Sequence, residues 1–143
     1  MENLSSIYSE IIMEHNQSNH NKRHLEHADC RERGHNPSCG DDITLSLKFE
    51  GDIIKDAAFQ GSGCAISQAS TSIMIDIIKG KSKKEALEYV NTFIGMIKKE
   101  ITEEEQLEKL EDAIALRNIS TMPARVKCAV LPWHTLKEGI KER

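Results

Sequence analysis

The chain has 143 residues, enough for one domain with its own core, and carries a net charge of −4, with 29% charged and 38% hydrophobic residues. That balance excludes a disordered chain and gives no general attraction for nucleic acid or an acidic membrane. No apolar run approaches the ~20 residues that span a bilayer, and no basic segment followed by an apolar stretch opens the chain, so a cytosolic protein with reduced thiols or metal-bound cysteines is expected.

Aromatic residues make up only 4%, so the core must be built from Ile, Leu, Val, Ala and Met. Leu4, Ile7, Tyr8, Ile11 and Ile12 lie on one face at helical spacing, which predicts a first helix over 4–15. Residues 16–40 are polar, rich in Asn and His, and contain Pro37 and Gly40, so they read as irregular loop. Apolar residues alternate with polar ones through Ile43–Phe49, which predicts a half-buried strand; Ile53–Phe59 is a second, weaker one. Glu50-Gly51-Asp52 between them reads as a hairpin turn. Gly61-Ser62-Gly63-Cys64 breaks the second strand.

Ile66, Ala69, Ile73, Met74, Ile77 and Ile78 then form a strong helix face closed by Gly80. Ser82-Lys83-Lys84-Glu85 is a capping box opening a helix through Ala86, Leu87, Val90, Phe93, Ile94 and Ile97. A second box is read at Thr102-Glu103-Glu104-Glu105, with Leu107, Leu110 and Ile114 behind it. Pro123 suits a helix start, and Pro132 predicts a break into two short C-terminal helices. The order predicts a single α+β domain over 1–143, with helices packed on one face of a small antiparallel sheet.

Three cysteines stand at turns or element ends. Cys39 and Asp41 flank Gly40 just before the first strand; residues two apart in extended chain project to one side, so Asp42 should point away. Cys64 follows two glycines at a helix start, where free N–H groups stabilise a thiolate. Cys128 follows Arg125 and Lys127, cations that favour its thiolate. Three sulfurs and a carboxylate suit tetrahedral zinc, and the same set suits an iron–sulfur cluster; no Cys-x-x-Cys pair is present, and unrelated structural thiols stay open on spacing alone. Cys30 reads as a bystander. His15, His20, His24, His27 and His35 read as a solvated loop that binds metal weakly at most, the acidic run from Glu100 to Asp112 as a solvated face, Met74, Met96 and Trp133 as core, and His134 as exposed.

Asn36-Pro37-Ser38-Cys39-Gly40-Asp41, Phe59-Gln60-Gly61-Ser62-Gly63-Cys64-Ala65-Ile66-Ser67 and Pro123-Ala124-Arg125-Val126-Lys127-Cys128-Ala129 resemble, in order, the three metal motifs of the SufU/IscU family, with Leu131 and Trp133 continuing the SufU pattern. The resemblance runs from the Tyr8–His15 helix to the C-terminus. Lys127 stands where IscU-like proteins carry His, and the stretch around Gly95–Ile114 is longer than theirs; both favour SufU. The first loop, Asn19-His20-Asn21-Lys22-Arg23, departs from both. The resemblance implies one zinc held by Cys39, Asp41, Cys64 and Cys128, and a pyridoxal-phosphate cysteine desulfurase that passes persulfide sulfur to the protein for downstream iron–sulfur assembly proteins. Cys39, on a loop, is then the expected acceptor. The alternatives are a scaffold for a transient [2Fe–2S] cluster and a purely structural zinc domain.

Overall fold

The computed structural model describes residues 2–38 and 40–141, with side chains from residue 10 onward. Helix α1 spans Glu2–Gln17, and strands β1 (Cys30–Asn36), β2 (Asp41–Glu50) and β3 (Ile53–Ser62) follow. Helices α2 (Ala65–Ile78), α3 (Lys83–Ile97) and the short α4 (Glu104–Leu107) lead into a 3₁₀ segment, Glu108–Thr121, and α5 (Pro123–Lys141) ends the chain. The strands form one antiparallel sheet in the order β1-β2-β3, so the α+β expectation stands. Among the described residues no helix is long and apolar enough to cross a membrane.

The sheet explains what alternation shows and what it hides. Ile43, Leu45 and Leu47 of β2 are fully buried. In β3, Ala57 and Phe59 face the same side, but so does Ile54, which breaks the period of two. The cause is a bulge: Lys48 pairs with Asp56 and Phe49 with Ile54, leaving Lys55 as the extra residue. One inserted residue inverts the in–out phase, hence the weak signal of this strand. Gly51, at φ 61°, turns the hairpin where Glu50 pairs with Ile53. The strand also runs on to Ser62 and is not broken at Gly61.

Strand β1 corrects the irregular-loop expectation for 16–40. Its residues opposite Leu47, Leu45, Ile43 and Asp41 are Cys30, Glu32, Gly34 and Asn36, a face with almost no hydrophobic signal. Helix α5 packs too close for large side chains there. A Cβ on Gly34 would lie 2.1 Å from Thr135 Oγ1, and one on Gly139 would lie 3.2 Å from Cys30 Sγ. Cys30, which stands in a polar stretch of sequence, is therefore a core residue.

Helix α2 is buried on most of its circumference, from Ser67 to Ile78, because α1, α5, the 3₁₀ segment and β3 surround it. Ile11 and Ile12 of α1 pack on the core; the side chains of Leu4, Ile7 and Tyr8 lie outside the described residues. The Ser82–Glu85 capping box forms. The box read at Thr102–Glu105 does not: Glu103 is the N-cap of α4 and no side chain caps it. Leu107, Leu110, Ala113, Leu116 and Ile119 are all buried, and they recur every third residue. That spacing suits 3₁₀ geometry, in which side chains three apart eclipse, although the segment is two helical pieces joined by a kink at Glu111, whose φ is 51°.

Pro132 does not divide α5, which continues for 19 residues. It has no N–H for the carbonyl of Cys128, a loss that costs an exposed helix ~3 kcal/mol or more. Burial of Ala129, Trp133, Leu136 and Ile140 on one face offsets it. Trp133 stacks on Phe93 at 4.2 Å between ring centroids.

Candidate metal centre

Asp41 begins β2 in phase with Ile43 and Leu45, so its carboxylate points into the protein and is fully buried. Its Oδ1 accepts from the backbone N–H of Cys64 at 2.9 Å and from Ser67 Oγ at 3.0 Å. Its Oδ2 is buried and has no hydrogen-bond partner among the described residues. Asp42 projects the other way and forms a two-pronged ion pair with Arg33, at 2.9 and 2.7 Å. Hydrogen bonding from Arg33 holds the Asp42 carboxyl below its usual range. The two aspartates thus point in opposite directions, as alternation along an extended chain requires.

Cys64 is the N-cap of α2, in extended conformation at φ −71° and ψ 166°, and is half-buried. Its backbone is tied on both sides: its N–H to Asp41, and its carbonyl to Gln68 N at 3.1 Å and Ser67 Oγ at 3.1 Å. Gly63 makes this possible. A Cβ there would sit 2.5 Å from Asp41 Oδ1 and 2.6 Å from Ser67 Oγ, so only glycine lets the β3–α2 turn close over the carboxylate.

Cys128 lies in the second turn of α5 and is fully buried. Its helix is pinned to α2 by Ser70, whose hydroxyl donates to the Ala129 carbonyl at 2.6 Å and accepts from Trp133 Nε1 at 2.9 Å. Arg125 and Lys127 are exposed on the same helix and line a cleft with Ser38.

An oxygen of Asp41 and the sulfurs of Cys64 and Cys128 all lie within 4.8 Å of one another. Two soft donors and one hard donor converge here, and Asp41 Oδ2 is buried with no N–H or O–H partner among the described residues. A buried anionic cluster of this kind is unfavourable without a cation, and its donors fit zinc. Cys39 lies outside the described residues, in the connection between β1 and β2; its neighbour Gly40 has φ 71°. Cys30 and His134 are not part of the ligand group.

The histidines divide in a way that their sequence spacing does not show. His24, His27 and His35 are exposed. His15 and His20 instead meet Asp76 of α2 in a second cluster, because a carboxylate 56 residues from His20 completes it.

A family model described as "NifU-like N terminal domain" matches residues 7–142. The chain is 41% identical over 139 residues to the zinc-dependent sulfurtransferase SufU of Bacillus subtilis, covering 96% of this chain and 92% of that protein. It is also 41% identical over 136 residues to the iron–sulfur cluster assembly scaffold protein IscU of Thermotoga maritima, covering 95% and 94%. A crystal structure of an iron–sulfur cluster assembly scaffold protein for the SUF system from Fervidobacterium islandicum superposes with a TM-score of 0.87 at 41% identity, covering 94% of this chain and 97% of that one. Equal identities leave the choice between sulfurtransferase and scaffold to the residues of the site.

Proposed function

The chain belongs to the NifU-like N-terminal domain family and is an iron–sulfur cluster assembly protein of the SufU/IscU kind, and from that premise we propose that it is a zinc-dependent sulfur acceptor for a pyridoxal-phosphate cysteine desulfurase. The observation that carries this reading is the convergence of Asp41, Cys64 and Cys128, with Asp41 Oδ2 buried and unsatisfied among the described residues. Cys39, Asp41, Cys64 and Cys128 would hold the zinc. Bound zinc keeps its sulfur ligands deprotonated and contributes to folding.

Cys39 is the sulfur that takes the persulfide. Cys64 is fixed by three hydrogen bonds to its own backbone, and Cys128 is buried inside a helix. Cys39 stands in sequence between Pro37 and Gly40, in the connection from β1 to β2, and functional residues are commonly carried on such connections. Its thiolate attacks the outer sulfur of the desulfurase's cysteine persulfide. The S–S bond of the donor breaks, the desulfurase cysteine leaves as a thiolate, and a new S–S bond forms on Cys39. One sulfur changes hands and no external oxidant or reductant is needed. Arg125 and Lys127, exposed beside the cleft, favour the approach of an anionic persulfide. The sulfur then passes to downstream iron–sulfur assembly proteins.

Lys127 bears on the choice of role. An imidazole in that position could ligate iron, whereas an ammonium group is a donor with no lone pair to offer. The scaffold reading, in which the same residues receive a [2Fe–2S] cluster as cargo, is supported by the equal identity to the Thermotoga IscU. Protein purified without oxygen separates the two. One zinc per chain, no visible absorption and a faster cognate desulfurase support sulfur acceptance. A brown chromophore supports the scaffold. Zinc without desulfurase stimulation reduces the site to a structural one.

A further inference from the structure

We propose that His15, His20 and Asp76 form a second binding site, for a divalent transition metal such as zinc, cobalt or iron, that shares no residue with the thiolate site. His15 lies in the last turn of α1, His20 in the loop after it, and Asp76 on α2. One ligand atom from each lies within 4.8 Å of the other two. His20 Nε2 is 3.2 Å from both carboxylate oxygens, and His15 Nε2 is 3.9 Å from Oδ2. A tetrahedral site with bonds of 2.0–2.2 Å has ligand–ligand edges of about 3.3–3.6 Å, and the distances of both imidazoles from Asp76 lie within about half an ångström of that range.

The surrounding hydrogen bonds match those that orient metal-bound imidazoles. His15 Nδ1 is held by Ser72 Oγ at 2.8 Å, and His20 Nδ1 by Ser18 Oγ. Each ring thereby turns its Nε2 toward Asp76. The side chain of Asn21 is fully buried beneath the cluster. Its Nδ2 donates to Asp76 Oδ1 at 2.8 Å and faces His20 Nε2 at 3.0 Å. Asn21 Nδ2 also donates to the Ser72 carbonyl at 2.9 Å, so this buried amide ties the Asp76 carboxylate to the backbone of α2. Two imidazoles and a carboxylate suit zinc, iron(II), cobalt or nickel better than calcium or magnesium. Glu111 and Asp112 line the same small cavity as His15 and Asp76 and make it acidic, and water would fill the fourth position. An ion here would tie α1 to α2.

The test is an anaerobic titration of the full chain, its thiolate site already filled with zinc, with cobalt(II), read by visible absorption and by thermal melting. The expected result is one further equivalent of cobalt, with d–d bands but no sulfur-to-cobalt charge transfer, and a raised melting temperature. His20→Ala and Asp76→Asn, both at side chains nearly half exposed, should weaken this uptake at least about tenfold and leave the zinc content unchanged. No second equivalent in the wild-type chain, or cobalt uptake in both variants equal to wild type, overturns the proposal.

Discussion

Substituting Gly63→Ala probes the metal centre without removing any ligand. The added methyl would lie 2.5 Å from Asp41 Oδ1, 2.6 Å from Ser67 Oγ and 3.2 Å from Asp41 Cα. The serine hydroxyl can rotate, but Asp41 cannot retreat, since its backbone is paired with Asn36 in the sheet. The β3–α2 turn must therefore lift, stretching the bonds from Cys64 N and Ser67 Oγ to the carboxylate. Overpacking costs about 1–3 kcal/mol, and weakening hydrogen bonds to a charged acceptor adds about 1–2 kcal/mol, so a loss of about 3 kcal/mol is expected. At this chain length that is a fall of roughly 6–12 °C in melting temperature. Gly51→Ala is the control: its φ is 61° but nothing lies within 4 Å of the added methyl, so it should cost about 1–2 kcal/mol and leave metal binding intact. Zinc affinity, measured by competition with a chromogenic chelator, should fall at least about tenfold in Gly63→Ala and not in Gly51→Ala. Wild-type zinc affinity in Gly63→Ala would refute the cradle that this reasoning places around Asp41.

Asp41→Asn should lose zinc affinity by at least about 10–100-fold, while Asp42→Asn, which breaks only the surface pair with Arg33, should leave zinc content unchanged; metal analysis of the two purified variants decides. Trp133→Phe keeps an aromatic ring against Phe93 but removes the donor to Ser70 Oγ, so urea unfolding should show a loss of about 1–3 kcal/mol with zinc still bound. His134 is exposed, and partial desolvation, followed by the nearby cations Lys137 and Lys98, lowers its pKa. Its neutral form is favoured in the folded state, so its contribution to stability is present above the unfolded pKa and is lost as pH falls through the folded one. His134→Gln should flatten that part of the stability–pH curve, and an unchanged slope would count against it.

The sheet's inward face is legible in β2, where Ile43, Leu45 and Leu47 carry the pattern and Asp41 continues it. It is illegible in β1, because close packing of α5 restricts that face to Cys30, Glu32, Gly34 and Asn36. The bulge at Lys55 obscures β3 in a different way, by inverting its phase. The stretch from Leu107 to Ile119 carries a clear period of three, but a reading tuned to 3.6 takes Leu107, Leu110 and Ile114 as an α-helical face. Pro132 misleads because a local rule about helix interiors gives way to the burial of Trp133 and Leu136. At the candidate metal centre, the grouping of Asp41, Cys64 and Cys128 is suggested by turn chemistry, alternation and family motifs. The partnership of His15 and His20 with Asp76 could not be read from the sequence, because it depends on how α1 docks against α2.

The central claim is that a zinc-bound thiol site accepts sulfur through Cys39, and mapping the persulfide tests it most directly. The protein is mixed with a cognate cysteine desulfurase and one equivalent of cysteine, quenched by alkylation, and digested for peptide mass spectrometry. The account predicts a one-sulfur mass increment on the peptide containing Cys39, with Cys64 and Cys128 unmodified, and its loss in Cys39→Ser. The same increment on Cys128 with Cys39 unmodified would contradict it.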